Sequence, residues 1–302
     1  MQWVRDHEEN PIRRRYFRRA ALITVAGNLV LAAGKGVVAY LSGSVALYAD
    51  AANSASDVVY SLLMMVGLWI AQQPPDLSHP QGHQRFEPLS GLMVAAAMTF
   101  AGYEAGRASI ARLISGGPAV QPGLPMIVLL TSAAIKWGMF IGIRNIAQKV
   151  NSPTLNATAK DNIADMLASG TALFGALGSA YIHPVVDAVA GILVALWIFR
   201  AAFEAWQENL AYLTGAGAPP ELRDQMVEIA SGIPGVRRVH QVLTEYAGPQ
   251  LVADLHINVD GNLTLFEAHR IAEEVRGRLE DLPDVERAYI HVEPYTAPEE
   301  SK

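Results

Sequence analysis

Two patterns of apolar and polar positions divide the chain. Up to about residue 214, long apolar runs such as ALITVAGNLVLAAGKGVVAYLSG (21–43) are separated by short polar breaks. A helix needs roughly 20 mostly apolar residues to cross a bilayer core. Six segments of that kind are read here: about 20–41, 45–72, 87–115, 123–147, 155–180 and 184–213. After GAGAPPE (215–221) the pattern becomes that of a small soluble domain. ELRDQMVEIASG has a helical period and stops at Gly232, whereas VRRVHQVLTEYAG, QLVADLHINVD and VERAYIHVEPY alternate as strands do. LTLFEAHRIAEEVRGRLED reads as a helix with Thr264 as N-cap and Glu267 completing a capping box. The order helix, strand, strand, helix, strand predicts an open α+β sandwich (αββαβ, ferredoxin/metallochaperone-like). The expected architecture is a basic N-terminal segment (1–19), a six-helix transmembrane bundle (20–214) and a cytoplasmic α+β domain (215–302).

Charge orients these segments. Arg13, Arg14, Arg15, Arg18 and Arg19 precede the first, Arg85 lies between the second and third, and Arg144, Lys149 and Lys160 lie near the fourth-to-fifth connection. The alternate loops, LSGS (41–44), SGGPAVQPG (115–123) and YIHP (181–184), carry no charge. Positive residues stay on the cytoplasmic side, so both termini are expected inside, at a bacterial inner membrane. The first apolar run is too long for a signal-peptide core and lacks an obvious cleavage site, so it reads as a retained helix.

Composition agrees with a membrane protein. Charged residues make up 17% of the chain and hydrophobic residues 51%, against about 25% charged in soluble domains. The absence of cysteine rules out disulfides and thiolate ligands. The net charge of −6 averages a basic membrane half and an acidic tail, and no nucleic-acid partner is expected.

The candidate chemistry lies in acidic residues inside greasy helices. In SVALYADAANSASDVVYSLLMMVGLWIAQQ, Asp50, Asn53 and Asp57 fall at i, i+3 and i+7 and share one helix face. In NATAKDNIADMLASG, Asp161, Asp165 and Ser169 form a second stripe, flanked by Ala164, Ala168 and Ala172, small enough for close helix approach. Two carboxylates one turn apart repel, and each is costly in lipid. Bringing the stripes together puts Asn53, Asp57, Asp161 and Asp165 around one point, where a divalent cation or protons would offset the repulsion. The plainer alternative is snorkelling at helix ends or a polar contact between helices. Three carboxylates and a carboxamide suit magnesium, calcium or manganese better than zinc or copper, although zinc accepts carboxylates. Mn²⁺ is preferred here, with Fe²⁺ behind it. Asp50, one turn from Asn53, is a candidate neighbour of the site or a proton relay.

The pairing of SVALYADAANSASD with KDNIAD resembles the cation diffusion facilitator family, and the six helices and α+β tail extend the likeness over almost the whole chain. The resemblance implies a homodimeric divalent-metal/proton antiporter, without organic cofactor, whose transport site takes two residues from each of helices two and five. Those positions are Asn53, Asp57, Asp161 and Asp165. Zinc-selective relatives typically carry His or Asp at the first position and His at the third, and the set here is similar to the manganese-exporting branch. Zn²⁺ and Fe²⁺ stay open as alternatives.

Further groups match by the same resemblance. In PPDLSHPQGHQRFEPLSG, Asp76, His79 and His83 stand where some relatives hold a second, exposed metal; a surface loop with stacked histidines is the alternative. Arg85 and Glu87 follow. Some relatives pair the basic residue with an acid near the end of helix six, where this chain has Ala211. In the tail, His240, His256, His269, His291 and Glu293 occupy positions that bind metal in relatives, which commonly have Asp in place of Glu293. Ordinary surface histidines are the alternative. Asn28, Lys35, Glu104, Arg107 and Lys136 either line a water path or make interhelical or snorkelling contacts. His183 and Asp187 are read as structural.

The expected mechanism is alternating access: metal displaces protons from the aspartates on the inside, and incoming protons compete it off outside, because metal ligands must be deprotonated. Three other functions are weighed. An intramembrane aspartyl protease also uses aspartates on two helices, but its YD, GxGD and PAL signatures are missing from this sequence. A metal-sensing scaffold would depend on residues 215–302. A channel would pass metal without moving protons.

Overall fold

The computed structural model describes residues 3–4, 11–42, 45–115, 124–181, 185–295. They form two compact units, Met1–Leu210 and Ala211–Lys302.

Six long helices make up most of the first unit: α1 (Pro11–Ser42), α2 (Val45–Ala71), α3 (Phe86–Ser115), α4 (Leu124–Val150), α5 (Pro153–Tyr181) and α6 (Val185–Leu213). Helix α1 reaches nine residues further toward the N-terminus than the apolar pattern suggested, through PIRRRYFRR. Arginine is a good helix former, and Phe17 of that turn is 3% exposed, so one buried face carries the charged segment into the helix. Among the described residues, four helices (α1, α2, α4 and α6) are both long and apolar enough to cross a membrane. Helix α3 carries Glu87, Glu104, Arg107 and Arg112, and α5 carries Lys160, Asp161 and Asp165, which is why composition alone does not select them.

Packing closes into a ring. Helix α1 lies against α2 and α4, α4 against α5, α5 against α3, and α3 against α2. The core is rich in alanine, with Ala20, Ala95, Ala157, Ala159, Ala164, Ala202 and Ala205 all buried, as expected where helix backbones approach closely. Gly67 shows the tightness: a β-carbon there would run into the Ser90 side chain of α3. Outward-facing positions are large and apolar, including Leu29, Val37, Trp69, Phe100, Leu193, Leu196 and Phe203. Such a belt is unfavourable in water and natural in lipid.

Helix α5 starts sharply. Asn151 takes a left-handed conformation (φ 48°), which Asn tolerates better than most residues. The Ser152 hydroxyl then accepts from the Leu155 backbone N–H at 3.2 Å, with Pro153 at the first helical position, a favourable N-terminus. This short connection lays α5 back against α4.

The second unit contains α7 (Pro220–Ser231), β1 (Val236–Ala247), β2 (Gln250–Val259), α8 (Leu265–Glu280) and β3 (Val285–Pro294). The sheet order is β1-β2-β3, with β1 antiparallel and β3 parallel to β2. Along β2, Leu251, Ala253, Leu255, Ile257 and Val259 are buried in the core formed with α7 and α8. The alternate residues, His256 among them, face the other side. Helix α8 has the capping box expected: Thr264 Oγ1 accepts from the Glu267 backbone N–H, and the Thr264 N–H donates to Glu267 Oε2 at 2.8 Å.

Candidate cation sites

The central feature of the first unit is a cavity of about 80 Å³ bordered by α1, α2, α3 and α5. Asn53 and Asp57 of α2 line it, as do Asp161 and Asp165 of α5. The two acidic stripes therefore open onto a common space. Helix periodicity explains the placement: residues four apart lie one above the other, so each pair presents both side chains inward. Asn53 stands at an exposed position, while Asp57, Asp161 and Asp165 are partly buried. The Asp50 side chain lies outside the described residues.

Two of the lining aspartates are paired with a cation of the chain itself. Lys136 of α4 donates to Asp57 Oδ2 at 3.2 Å and is paired with Asp165. From sequence, Lys136 was one of several polar residues that could line a path or serve as a contact; the structure puts it between the two aspartate-bearing helices. The weak signal was Ser132 and Lys136, four apart on α4 and both buried.

Helix α1 contributes polar groups as well. Asn28 Nδ2 donates to Ser61 Oγ at 2.6 Å, and the Ser61 hydroxyl donates to the Asp57 carbonyl at 2.6 Å. Thr24 and Asn28, again four apart, both line the cavity. On α5, Thr158 donates to Met64 Sδ of α2 at 3.2 Å. Lys35 is buried in α1. Glu104 and Arg107 instead form an i,i+3 ion pair at 2.8 Å on an exposed part of α3, in keeping with the local-contact alternative.

Asp76, His79 and His83 come together in the loop between α2 and α3. His79 Nδ1 lies 3.6 Å from Asp76 Oδ1, and His83 Nε2 lies 3.5 Å from Asp76 Oδ2. The backbone N–H of His79 donates to the Asp76 carboxylate at 2.6 Å and that of Ser78 at 2.8 Å. The His79 backbone bond chiefly, then the Ser78 bond and the two imidazoles, hold the Asp76 carboxyl below its usual range. The histidine rings also touch at a tilt, with centroids 4.5 Å apart and planes 48° to one another. Glu87, just beyond, is buried and pairs with Arg13 of α1 at 3.4 Å; its carbonyl accepts from the Thr154 hydroxyl. Arg85 is exposed.

On the helix-free face of the sheet, His240, His256 and Glu293 gather with ligand atoms within 4.8 Å of one another. His240 Nε2 lies 3.4 Å from Glu293 Oε2, and His256 Nδ1 lies 3.4 Å from Glu293 Oε1. The register explains the group. His256 pairs with His291 across β2 and β3, and Glu293 lies two residues on, on the same face. His240 sits at an irregularity of β1, between Val239, opposite Ile257, and Gln241, opposite His256. A bulge of this kind re-aims a side chain. His291 Nε2 is 3.5 Å from Glu293 Oε1, at the edge of the group. His269 does not join it: this residue is exposed on α8, and α8 covers the opposite face of the sheet from His256. His183 and the Asp187 side chain lie outside the described residues.

Comparison with known proteins agrees with this organisation. Residues 21–214 match the cation efflux transmembrane domain, and residues 218–295 match the cation efflux protein cytoplasmic domain, ZT_dimer. The chain is 34% identical over 284 residues to the uncharacterized transporter MJ0449 of Methanocaldococcus jannaschii, covering 92% of this chain and 99% of that protein. It is 30% identical over 281 residues to the manganese efflux system protein MneS of Bacillus subtilis, covering 91% and 94%. To MneP, a second manganese efflux system protein of the same organism, it is 29% identical over 287 residues, covering 92% and 96%. The chain therefore belongs to the cation efflux, or cation diffusion facilitator, family: it is an integral membrane transporter of metal cations and not an enzyme.

Proposed function

We propose that this transporter exports a divalent transition metal, Mn²⁺ by preference, from the cytoplasm in exchange for protons, working as a homodimer with Asn53, Asp57, Asp161 and Asp165 as the transport site. The observation that carries this reading is the common cavity lined by those four side chains. Their donors are all oxygen, a set that suits Mn²⁺ better than Zn²⁺, and the likeness to two manganese efflux proteins favours the same metal. Fe²⁺ and Zn²⁺ are the alternative cargoes.

All six helices cross the membrane in this reading, with the charges of α5 facing the bundle interior, where ionisable residues are tolerated. Both termini lie in the cytoplasm of a bacterial cell, as the loop arginines and lysines indicate. The match of residues 218–295 to ZT_dimer favours dimerisation through the α+β domain. Asp76 with His79 and His83, and His240 with His256 and Glu293, are auxiliary metal sites, each with imidazole and carboxylate donors of a kind that hold zinc-like ions. His291 is a spare ligand beside the second group.

Proton exchange follows from the donor chemistry. Carboxylates bind metal only when deprotonated, so loading releases protons and acid opposes it. Alternating exposure of the cavity then couples outward metal movement to inward proton movement. The test is a panel of divalent metals in reconstituted vesicles with an internal pH indicator, comparing wild type with Asp165→Ala. Mn²⁺ transport with opposite proton movement, lost in the variant, supports the reading. Metal flux without proton movement would replace antiport with a channel, and flux undiminished in the variant would remove the site.

A further inference from the structure

The Lys136 ammonium stands where a cargo ion has to stand. Its side chain is 5% exposed and it contacts a carboxylate from each acidic helix, Asp57 of α2 at 3.2 Å and Asp165 of α5. An ammonium offers three donors and no acceptor, so it serves the carboxylates and cannot serve a metal. An ion held by the same oxygens at about 2.0–2.2 Å would share the pocket with Nζ, like charge against like charge and largely shielded from water. The two cations exclude each other at Asp57 and Asp165.

We propose that Lys136 is a tethered competitor of the cargo: its ammonium holds Asp57 and Asp165 between loads and swings off them when a metal ion binds. This rests on the reading of Asn53, Asp57, Asp161 and Asp165 as the transport site. Two consequences follow. Every binding event has to break the lysine contacts, which weakens affinity and speeds release on the far side. Between loads, the partly buried carboxylates keep a counter-charge, so the helices can rearrange without carrying unpaired charge through the membrane. Lysine suits the task, being a compact charge on a flexible four-carbon stem, whereas the planar fork of arginine would grip both oxygens of a carboxylate.

The experiment measures Mn²⁺ affinity and vesicle export for the intact protein as wild type, Lys136→Gln and Lys136→Arg. The expected result is that Lys136→Gln binds Mn²⁺ at least about tenfold more tightly and exports it more slowly at saturating metal, while Lys136→Arg binds no more tightly than wild type. A purely structural lysine would not raise affinity on removal, so unchanged or weaker binding by Lys136→Gln overturns the proposal. Should that variant not fold, Asp165→Asn is compared with Asp165→Asn/Lys136→Gln, in which a lost ammonium is matched by a lost carboxylate. Tighter binding by the double variant than by the single one supports the competitor, and weaker or equal binding overturns it. Failure of the underlying transport site would show separately, as wild-type Mn²⁺ affinity in Asp161→Asn.

Discussion

Lys136 of α4 reaches Asp57 of α2 across 3.2 Å, so a charge that neutralises the acidic pair comes from a helix outside both motifs. The charged cluster is thus drawn from three helices: α2 and α5 supply the carboxylates and α4 the counter-ion. The ring arrangement makes this possible, because α4 packs against α5 on one side and α1 on the other.

Metal choice is predicted to follow the side chains at the variable positions. Asn53→His combined with Asp161→His replaces two oxygen donors by imidazoles, which favour zinc. The expected outcome is a shift of transport preference from Mn²⁺ toward Zn²⁺ in a vesicle metal panel. Unaltered Mn²⁺ preference would show that selectivity is set elsewhere.

The capping box of α8 is predicted to contribute locally and with a defined pH dependence. Thr264→Ala removes the hydroxyl that caps the helix and should cost about 1 kcal/mol. Hydrogen exchange in the first turn of α8, measured on the intact protein, should accelerate accordingly. The Thr264 hydroxyl first, and its backbone N–H second, hold the Glu267 carboxyl below its usual range. A lowered native value means that the stabilisation is complete above the ordinary glutamate pKa and is lost as pH falls through the lower native one. Protection of that turn should therefore persist through neutral and mildly acidic pH.

Close approach of α2 and α3 at Gly67 is predicted to tolerate no side chain. Gly67→Ala places a β-carbon against Ser90, and overpacking of this kind costs about 1–3 kcal/mol. The thermal midpoint of the detergent-solubilised protein should drop, whereas Gly36→Ala, where a β-carbon meets nothing within 4 Å, should leave that midpoint nearly unchanged.

Spacing made it legible in the sequence that Asn53, Asp57, Asp161 and Asp165 share one space, because two i,i+4 pairs each put both side chains on one helix face. The αββαβ order and the Thr264 cap were legible for the same reason: alternation and capping are local signals. Lys136 was harder, since a lone cation on an apolar helix is read as a contact, a path or a snorkel until its neighbours are known. The N-terminal extension of α1 was missed because its arginines break the apolar pattern without breaking the helix. His240 and His269 show the limit in the tail. A strand irregularity brings the first to Glu293, and no local sequence signal announces it, while the choice of which sheet face α8 covers leaves the second outside the group.

The most direct test of the account is the coordination of Mn²⁺ bound to protein in which His83→Ala and His256→Ala have silenced the two histidine groups. X-ray absorption at the manganese edge should report a shell of oxygen donors only, and the bound ion should disappear when Asp161→Asn is added. Imidazole nitrogen in that shell, or manganese retained at full occupancy in the Asp161 variant, would contradict the claim that Asn53, Asp57, Asp161 and Asp165 hold the transported ion.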